Sequence, residues 1–205
     1  MTFRRVDLGT VPAHVARINY AGDLGYELWV APEYQRVMFD AIVAVGEPHR
    51  LRLFGMRALM SLRLEKSYGT WFREYRPIYT PLEGGITRYL KFDHDFIGRA
   101  AHEAEVARGG PDRRLVAFVV DPDPDDPADV IGDEPIWHGG KVVGWVTSGG
   151  YAHYVDKSMA QGYVPKELAG DTSKGAFEIE IIGDNRKATI ITDPPFDPEG
   201  KRMRS

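Results

Sequence analysis

Gly109-Gly110-Pro111-Asp112-Arg113-Arg114-Leu115-Val116-Ala117-Phe118-Val119-Val120 is the stretch that divides the chain. Two glycines, a proline and an aspartate in succession are turn chemistry. The Leu115–Val120 run after them is β-branched and aromatic, the composition of a strand. Downstream every apolar segment is short: Pro135–His138, Val142–Ser148, Met159–Val164, Ala176–Ile182 and Lys187–Thr192. Glycine pairs, Gly183-Asp184-Asn185 and prolines separate them. Short strands at near-regular spacing predict a small β-barrel or sandwich over residues 109–205. The acidic, proline-rich run Asp121–Pro127 is a solvated loop, because its aspartates lack the Asx-Gly-Glu spacing of a calcium-binding loop.

Upstream, residues 1–108 alternate between strand and helix signals and form an α+β layer. Residues 3–30 read as β. Val11–Asn19 and Tyr26–Val30 are predicted as a hairpin or a pair of neighbouring strands, with the Ala21–Gly25 turn between them. Pro32 opens a helix whose apolar residues Val37, Met38, Ala41, Ile42 and Val45 fall at helical spacing before Gly46. A second helix is expected from about Gly55 to Lys66, and a short third one from Arg99 to about Arg108. Ser67–Leu90 between them is irregular and aromatic, with Trp71, Phe72, Tyr75, Tyr79 and Tyr89. Aromatics in such a connection either pack the loop down or line a pocket.

Composition narrows the function. With 205 residues, 43% of them hydrophobic, the chain can bury one sizeable core or two small ones. A net charge of −4 gives no basic face for nucleic acid. There is no cysteine, so thiolate nucleophiles and cysteine-ligated metals are excluded. No run approaches the length of a membrane span, and the first residues lack the apolar core of a signal peptide. A soluble cytoplasmic protein is expected. The chain opens almost directly into strand-like sequence, which fits a fragment of a longer domain.

The residue types that carry chemistry give few leads on their own. The six histidines form no i, i+4 pair and no H-E-x-x-H pattern, so no metal site is predicted. No G-x-S-x-G elbow and no phosphate-cradling glycine loop is present. Thr147-Ser148-Gly149-Gly150 reads as the end of a strand. Glu27 follows a glycine-rich turn among large apolar residues. Alternation turns it outward, and burial would require a partner for its charge. Arg63 and Glu65 read as salt-bridging or surface residues of their helix, and Glu83 as a partner of nearby amides or of a ligand.

Several segments together resemble the glycine-cleavage T-protein (aminomethyltransferase) family. Tyr20-Ala-Gly-Asp-Leu-Gly-Tyr-Glu27-Leu28 is similar to its glycine-rich turn, Ser61-Leu-Arg-Leu-Glu-Lys66 to its Leu-Arg-Leu-Glu helix, and Thr80-Pro-Leu-Glu-Gly-Gly85 to its Thr-Pro-Leu-Glu loop. Asp95-Phe-Ile-Gly-Arg99, Gly144-Trp-Val-Thr-Ser-Gly149, Ala160-Gln-Gly-Tyr-Val-Pro165 and Pro195-Phe-Asp-Pro198 follow in family order. Lys66 and the tail Glu199–Arg204 resemble the version found at the end of dimethylglycine and sarcosine dehydrogenases.

The resemblance implies the C-terminal part of a folate-binding α+β domain followed by the family's terminal β-barrel. It implies tetrahydrofolate as cofactor and one-carbon transfer from a small methylated amine. FAD would sit in an upstream domain or a partner oxidase subunit, which forms the iminium that folate captures as methylene. Glu27 matches the glutamate that recognises the pterin edge, where a carboxylate can accept two parallel N–H bonds. Tyr68 matches an aromatic beside folate; Tyr20 is a further candidate. Leu59 stands where the glycine-cleavage branch has a folate-contacting arginine, so Arg57 or Arg63 compensates or the glutamate tail binds differently. The family's catalytic aspartate belongs to a segment before residue 1, and no residue here takes its role. The alternatives are a carrier-dependent aminomethyltransferase and a non-catalytic folate-binding or assembly module paired with an oxidase.

Overall fold

Leu8 and Val11 face each other across the two-residue turn Gly9-Thr10, with Gly9 at φ 64°, and so join β1 (Phe3–Leu8) to β2 (Val11–Ala16). The computed structural model describes residues 2–204. β3 (Glu27–Trp29) pairs antiparallel with β2, from His14 opposite Trp29 to Ala16 opposite Glu27. The neighbouring strands expected on either side of the glycine-rich turn are present, and β1 completes a three-stranded sheet in the order β1-β2-β3. Val11 and Ala13 point to one face and pack on Met38, Val30 and Tyr34.

A single 3-10 turn over Pro32–Tyr34 leads into α1 (Gln35–Gly46). Proline is suited to that first turn because its missing N–H has no helical partner there. The chain does not stop at Gly46. It continues through a second 3-10 turn, Glu47–His49, and reverses at Arg50, which adopts φ 60°; the Leu51 amide then donates to the Gly46 carbonyl at 3.0 Å. α2 (Met56–Glu65) and α3 (Arg99–Ala107) fall where helical spacing put them.

Beyond α3, β4 (Arg113–Val120), β5 (Pro135–His138), β6 (Lys141–Ala152), β7 (Lys157–Pro165), β8 (Phe177–Ile181) and β9 (Asp184–Ile191) form a closed antiparallel barrel. Their order is β4-β7-β6-β5-β8-β9, and pairing of β9 back onto β4 decides for a barrel over a sandwich. Its interior is Phe118, Phe177, Ile136, Val146, Ile179 and their neighbours, with Phe118 and Phe177 edge to face at 5.4 Å. The molecule is therefore an α+β part followed by a β-barrel, as the sequence predicts.

β6 is the main departure from expectation. It runs on through Thr147-Ser148-Gly149-Gly150 to Ala152, where turn chemistry had suggested a strand end at Ser148. A bulge between Val146 and Ser148 leaves Thr147 without an opposite partner in β7 and buries three successive residues. α2 lies against this strand. Leu64 packs with Ala152 and Met159, and the Ser61 hydroxyl donates to the Tyr151 carbonyl at 2.6 Å.

Candidate functional site

The end of α2 builds one wall of a cavity of about 430 Å³. Ser67 takes a left-handed conformation (φ 54°), and the Ser67 and Tyr68 amides donate to the Leu64 and Arg63 carbonyls. This ends the helix and turns the Tyr68 ring outward. The chain leaving β2 supplies a second wall. Asn19 Oδ1 accepts from the Gly22 amide at 2.7 Å, and Gly22 has φ 89°. A Cβ at Gly22 would meet the Lys66 stem at 2.3 Å, so glycine lets this turn lie close over α2.

Tyr20 and Tyr68 stack with centroids 6.3 Å apart and planes 16° apart, and the Tyr20 hydroxyl donates to the Gly69 carbonyl at 2.9 Å. Tyr75 closes in over Gly69, where a Cβ would clash with its ring. Tyr89 adds another aromatic edge, with the Arg88 guanidinium 4.9 Å above it. The C-terminal tail forms the last side: Phe196 NH donates to the Glu65 carbonyl, Asp197 pairs with Lys66 at 3.5 Å, Arg202 with Asp23 at 2.7 Å, and the Tyr68 hydroxyl donates to Met203 Sδ at 3.1 Å. Burial pushes the Tyr20 phenol up to about 12 and raises Tyr68 and Tyr75 as well, so these hydroxyls stay neutral donors near pH 7. Arg17, Arg88 and Arg204 line the cavity, and no carboxylate does among the described residues. Such a space suits a flat aromatic ligand that carries negative charge.

Behind this wall lies a buried polar network. Glu74 Oε2 accepts from the Thr70 amide at 2.6 Å, the Thr70 hydroxyl at 3.2 Å and Arg63 at 3.4 Å. Its Oε1 accepts from the hydroxyls of Thr147, at 2.6 Å, and Ser148. Arg63 also donates to Gln161 Oε1 at 2.7 Å and to the Tyr68 carbonyl at 2.9 Å. Strands β6 and β7 thus hold the loop that carries Tyr68 and Tyr75.

The structure brings Tyr20 and Tyr68 together in the cavity wall. Arg63 is not on the surface of its helix. It is buried one layer behind, paired with Glu74 at 3.4 Å; Glu65, also buried, accepts the Tyr154 amide at 2.8 Å. Glu27 is half-buried on β3 and outside the lining residues; the register sets it opposite Ala16, next to cavity-lining Arg17. Glu83 is buried, pairs with Arg113 at 3.1 Å and accepts the Thr80 amide at 2.9 Å. The aromatic loop does both things its composition allowed. Tyr75 and Tyr89 line the cavity, Tyr79 packs on Tyr163 at 3.9 Å, and Trp71 and Phe72 are exposed. Sequence reading did not find Arg17, Asn19, Arg88 or Met203: Arg17 and Asn19 lie just before the motif tyrosine Tyr20, whereas Arg88 and Met203 carry no signal of a site in the sequence.

Comparison with known proteins places the chain. Residues 1–94 match the GCVT N-terminal domain, and residues 113–197 match the glycine cleavage T-protein C-terminal barrel domain. The mitochondrial dimethylglycine dehydrogenase of Mus musculus is 37% identical over 200 residues, covering 97% of this chain and 22% of that protein. An aminomethyltransferase of Desulfitobacterium hafniense is 30% identical over 201 residues, covering 97% of this chain and 53% of its own. The chain thus spans about a fifth of the one relative and about half of the other. The crystal structure of glycine cleavage system aminomethyltransferase T from Bartonella henselae superposes with a TM-score of 0.77 at 22% identity, over 91% of this chain and 50% of that one. With both family domains matched in order, and the fold shared, the chain belongs to the glycine-cleavage T-protein family.

Proposed function

We propose that the chain is a tetrahydrofolate-dependent one-carbon-transfer domain, working as the C-terminal part of a demethylating enzyme of the dimethylglycine or sarcosine dehydrogenase type. The observation that carries this reading is the tyrosine-walled, arginine-lined cavity in a chain that aligns with a dimethylglycine dehydrogenase over 97% of its length. Its volume of about 430 Å³ is within the usual range for a small-molecule site. Folate combines a flat heterocycle with an anionic tail, and the residues present fit both. Tyr20, Tyr68 and Tyr75 offer aromatic faces, and Arg17, Arg88 and Arg204 offer charge to carboxylates.

When bound, tetrahydrofolate supplies the amine nitrogens that accept the one-carbon unit. The chain's own residues bind and orient it. Tyr68 is held from behind by Arg63 and in front by Met203, so its ring is fixed before a ligand arrives. Glu27, on β3 outside the lining residues, is the carboxylate that the family resemblance gives to the pterin's N–H edge. An FAD-bearing oxidase domain or subunit would act first on a small methylated amine. A lipoyl-carrier aminomethyltransferase is the second reading, favoured by the Desulfitobacterium relative, of which the chain covers more than half.

Calorimetric titration of tetrahydrofolate into the chain tests the proposal. Glu27→Ala should weaken binding by roughly 2–4 kcal/mol, as for a lost charged hydrogen-bond partner. Tyr68→Ala should weaken it by about 0.5–1.5 kcal/mol through lost stacking. Parent chain that takes up no folate at millimolar concentration sinks the reading. If Tyr68→Ala weakens binding and Glu27→Ala does not, the cavity stands and the assignment of Glu27 falls.

A further inference from the structure

Lys66 follows the last residue of α2, and a lysine in that place ordinarily reaches for water. Here its side chain is 3% exposed, and the Gly22 turn roofs its stem. Its ammonium donates to the Asp197 carbonyl at 2.5 Å and stands 3.5 Å from the Asp197 carboxylate. The Asp197 side chain is 10% exposed, and its backbone is left-handed (φ 42°). That carboxylate also accepts the Lys201 amide at 2.9 Å and the Arg202 amide at 3.2 Å, while the Asp197 carbonyl accepts the Gly200 amide at 2.8 Å. One aspartate therefore gathers residues 197–202 into a compact turn and fastens that turn to the end of α2.

The far side of the turn reaches the cavity. Met203 and Arg204 line it, and Met203 accepts the Tyr68 hydroxyl. The Arg204 guanidinium also donates back to the Glu199 carbonyl at 2.6 Å. On the outer face Arg202 pairs with Asp23 at 2.7 Å, and both side chains are about half exposed. The two attachments differ in strength. A buried ion pair that loses one member leaves the other stranded, whereas an exposed pair is screened and contributes little. The turn is thus held firmly at Asp197 and lightly at Arg202.

We infer that Lys66 and Asp197 are a positioning pair for the cavity: through the 197–204 turn they hold Met203 and Arg204 at the ligand space, and the Arg202–Asp23 pair is the catch that opens to pass ligand in and out. For its ligand, tetrahydrofolate, the inference rests on the function proposed above. Neither Lys66 nor Asp197 lines the cavity, so both act through the turn and not by touching ligand. Their contribution is preorganisation. Arg204 stands in place before an anion arrives, and the ordering of the turn does not fall on the binding step.

Two measurements on the full chain test this: trypsin cleavage without ligand, mapped by mass spectrometry, and stopped-flow binding of tetrahydrofolate. Lys66→Met keeps the stem and removes the charge, while Asp197→Asn keeps an acceptor oxygen and tolerates the left-handed backbone. Each should raise cleavage after Lys201 and Arg202 by about tenfold or more and speed folate release by a similar factor. Cleavage after Lys157 and Lys187 of the barrel should not rise. The double variant strands neither charge and should recover part of both losses. Asp23→Asn should speed association and release together by about two- to fivefold, and raised salt should do the same to the parent but not to this variant. Unchanged cleavage after Lys201 and Arg202 in both charge variants overturns the positioning pair, as does cleavage that rises equally in the barrel. Rates that Asp23→Asn leaves alone overturn the catch. A parent chain that takes up no folate sinks the functional reading and the catch with it, and proteolysis then still decides the pair.

Discussion

Glu74 is fully buried and yet accepts five donors: the Thr70 amide and hydroxyl, Arg63, Thr147 and Ser148. Its backbone carbonyl takes a further one from Tyr163. An ion pair of this kind offsets its desolvation only while complete; removing one member strands the other. Glu74→Ala should therefore cost about 3–5 kcal/mol in urea unfolding, and Glu74→Gln, which keeps the acceptor oxygen, distinctly less. Equal losses in the two variants would mean that the site acts through shape and not charge. Tyrosine burial gives a second prediction at this scale. An unfolded tyrosine ionises near pH 10, and burial pushes Tyr20 up to about 12. Between those values the unfolded chain has lost a proton that the folded chain keeps, so stability is whole below about pH 10 and falls as pH rises through the window. Tyr68, Tyr75 and Tyr163 act in the same direction. Urea midpoints measured across the window should drop, and Tyr20→Phe should make the drop shallower.

Among the elements, β6 and β7 leave no room for a side chain at two of their glycines. A Cβ on Gly144 would lie 1.9 Å from the Tyr163 carbonyl oxygen, and one on Gly162 would lie 2.6 Å from that of Trp145. Backbone cannot move aside as a flexible side chain can. Gly144→Ala should destabilise the barrel by about 1–3 kcal/mol or more, the cost of overpacking, visible as a lowered thermal midpoint; an unchanged midpoint would mean that the strands separate freely there. The same two strands show where sequence reading stops. β8 and β9 alternate buried and open residues, so period 2 reveals them. β6 does not alternate through its bulge, and Thr-Ser-Gly-Gly has turn composition. Pairing with Gln161, Ala160 and Met159 of β7 carries that stretch on as strand, and Glu74 from the loop after α2 takes its two hydroxyls; no local pattern records either partner. Arg63 takes the salt-bridging role its sequence allowed, with Glu74, but neither it nor Glu65 lies on the surface, for a related reason. Polar residues near the end of a helix ordinarily face water, and here the last turn of α2 is buried against the barrel and the C-terminal tail. Tyr20 and Tyr68 were readable because motif resemblance brings them together. Met203 meets them only through folding of segments far apart in the chain, while Arg17, just before Tyr20, belongs to no motif of its own.

Stability should be unevenly spread over the whole molecule. The barrel closes on itself, leaves no free edge and encloses a cluster that runs from Phe118 to Ile190. The first sheet has two open edges, one of them the three-residue β3, and its core is Val11, Ala13 and Met38. Opening a segment costs free energy in proportion to the packing it breaks, and amide exchange reports that cost segment by segment. The amides of β7, bonded on both sides by β4 and β6, should therefore exchange slowest, at a rate set by global unfolding. Those of β1 and α1 should exchange orders of magnitude faster through local opening. α2 should split along its length. Arg63, Leu64 and Glu65 are buried and should follow the barrel, while the first turn after Met56, which is exposed, should follow α1. Exchange followed by mass spectrometry on the full chain checks this gradient. Uniform protection from β1 to β9 would mean that the small first core is as cooperative as the barrel, and that the last turn of α2 couples the two parts far more tightly than its contacts indicate.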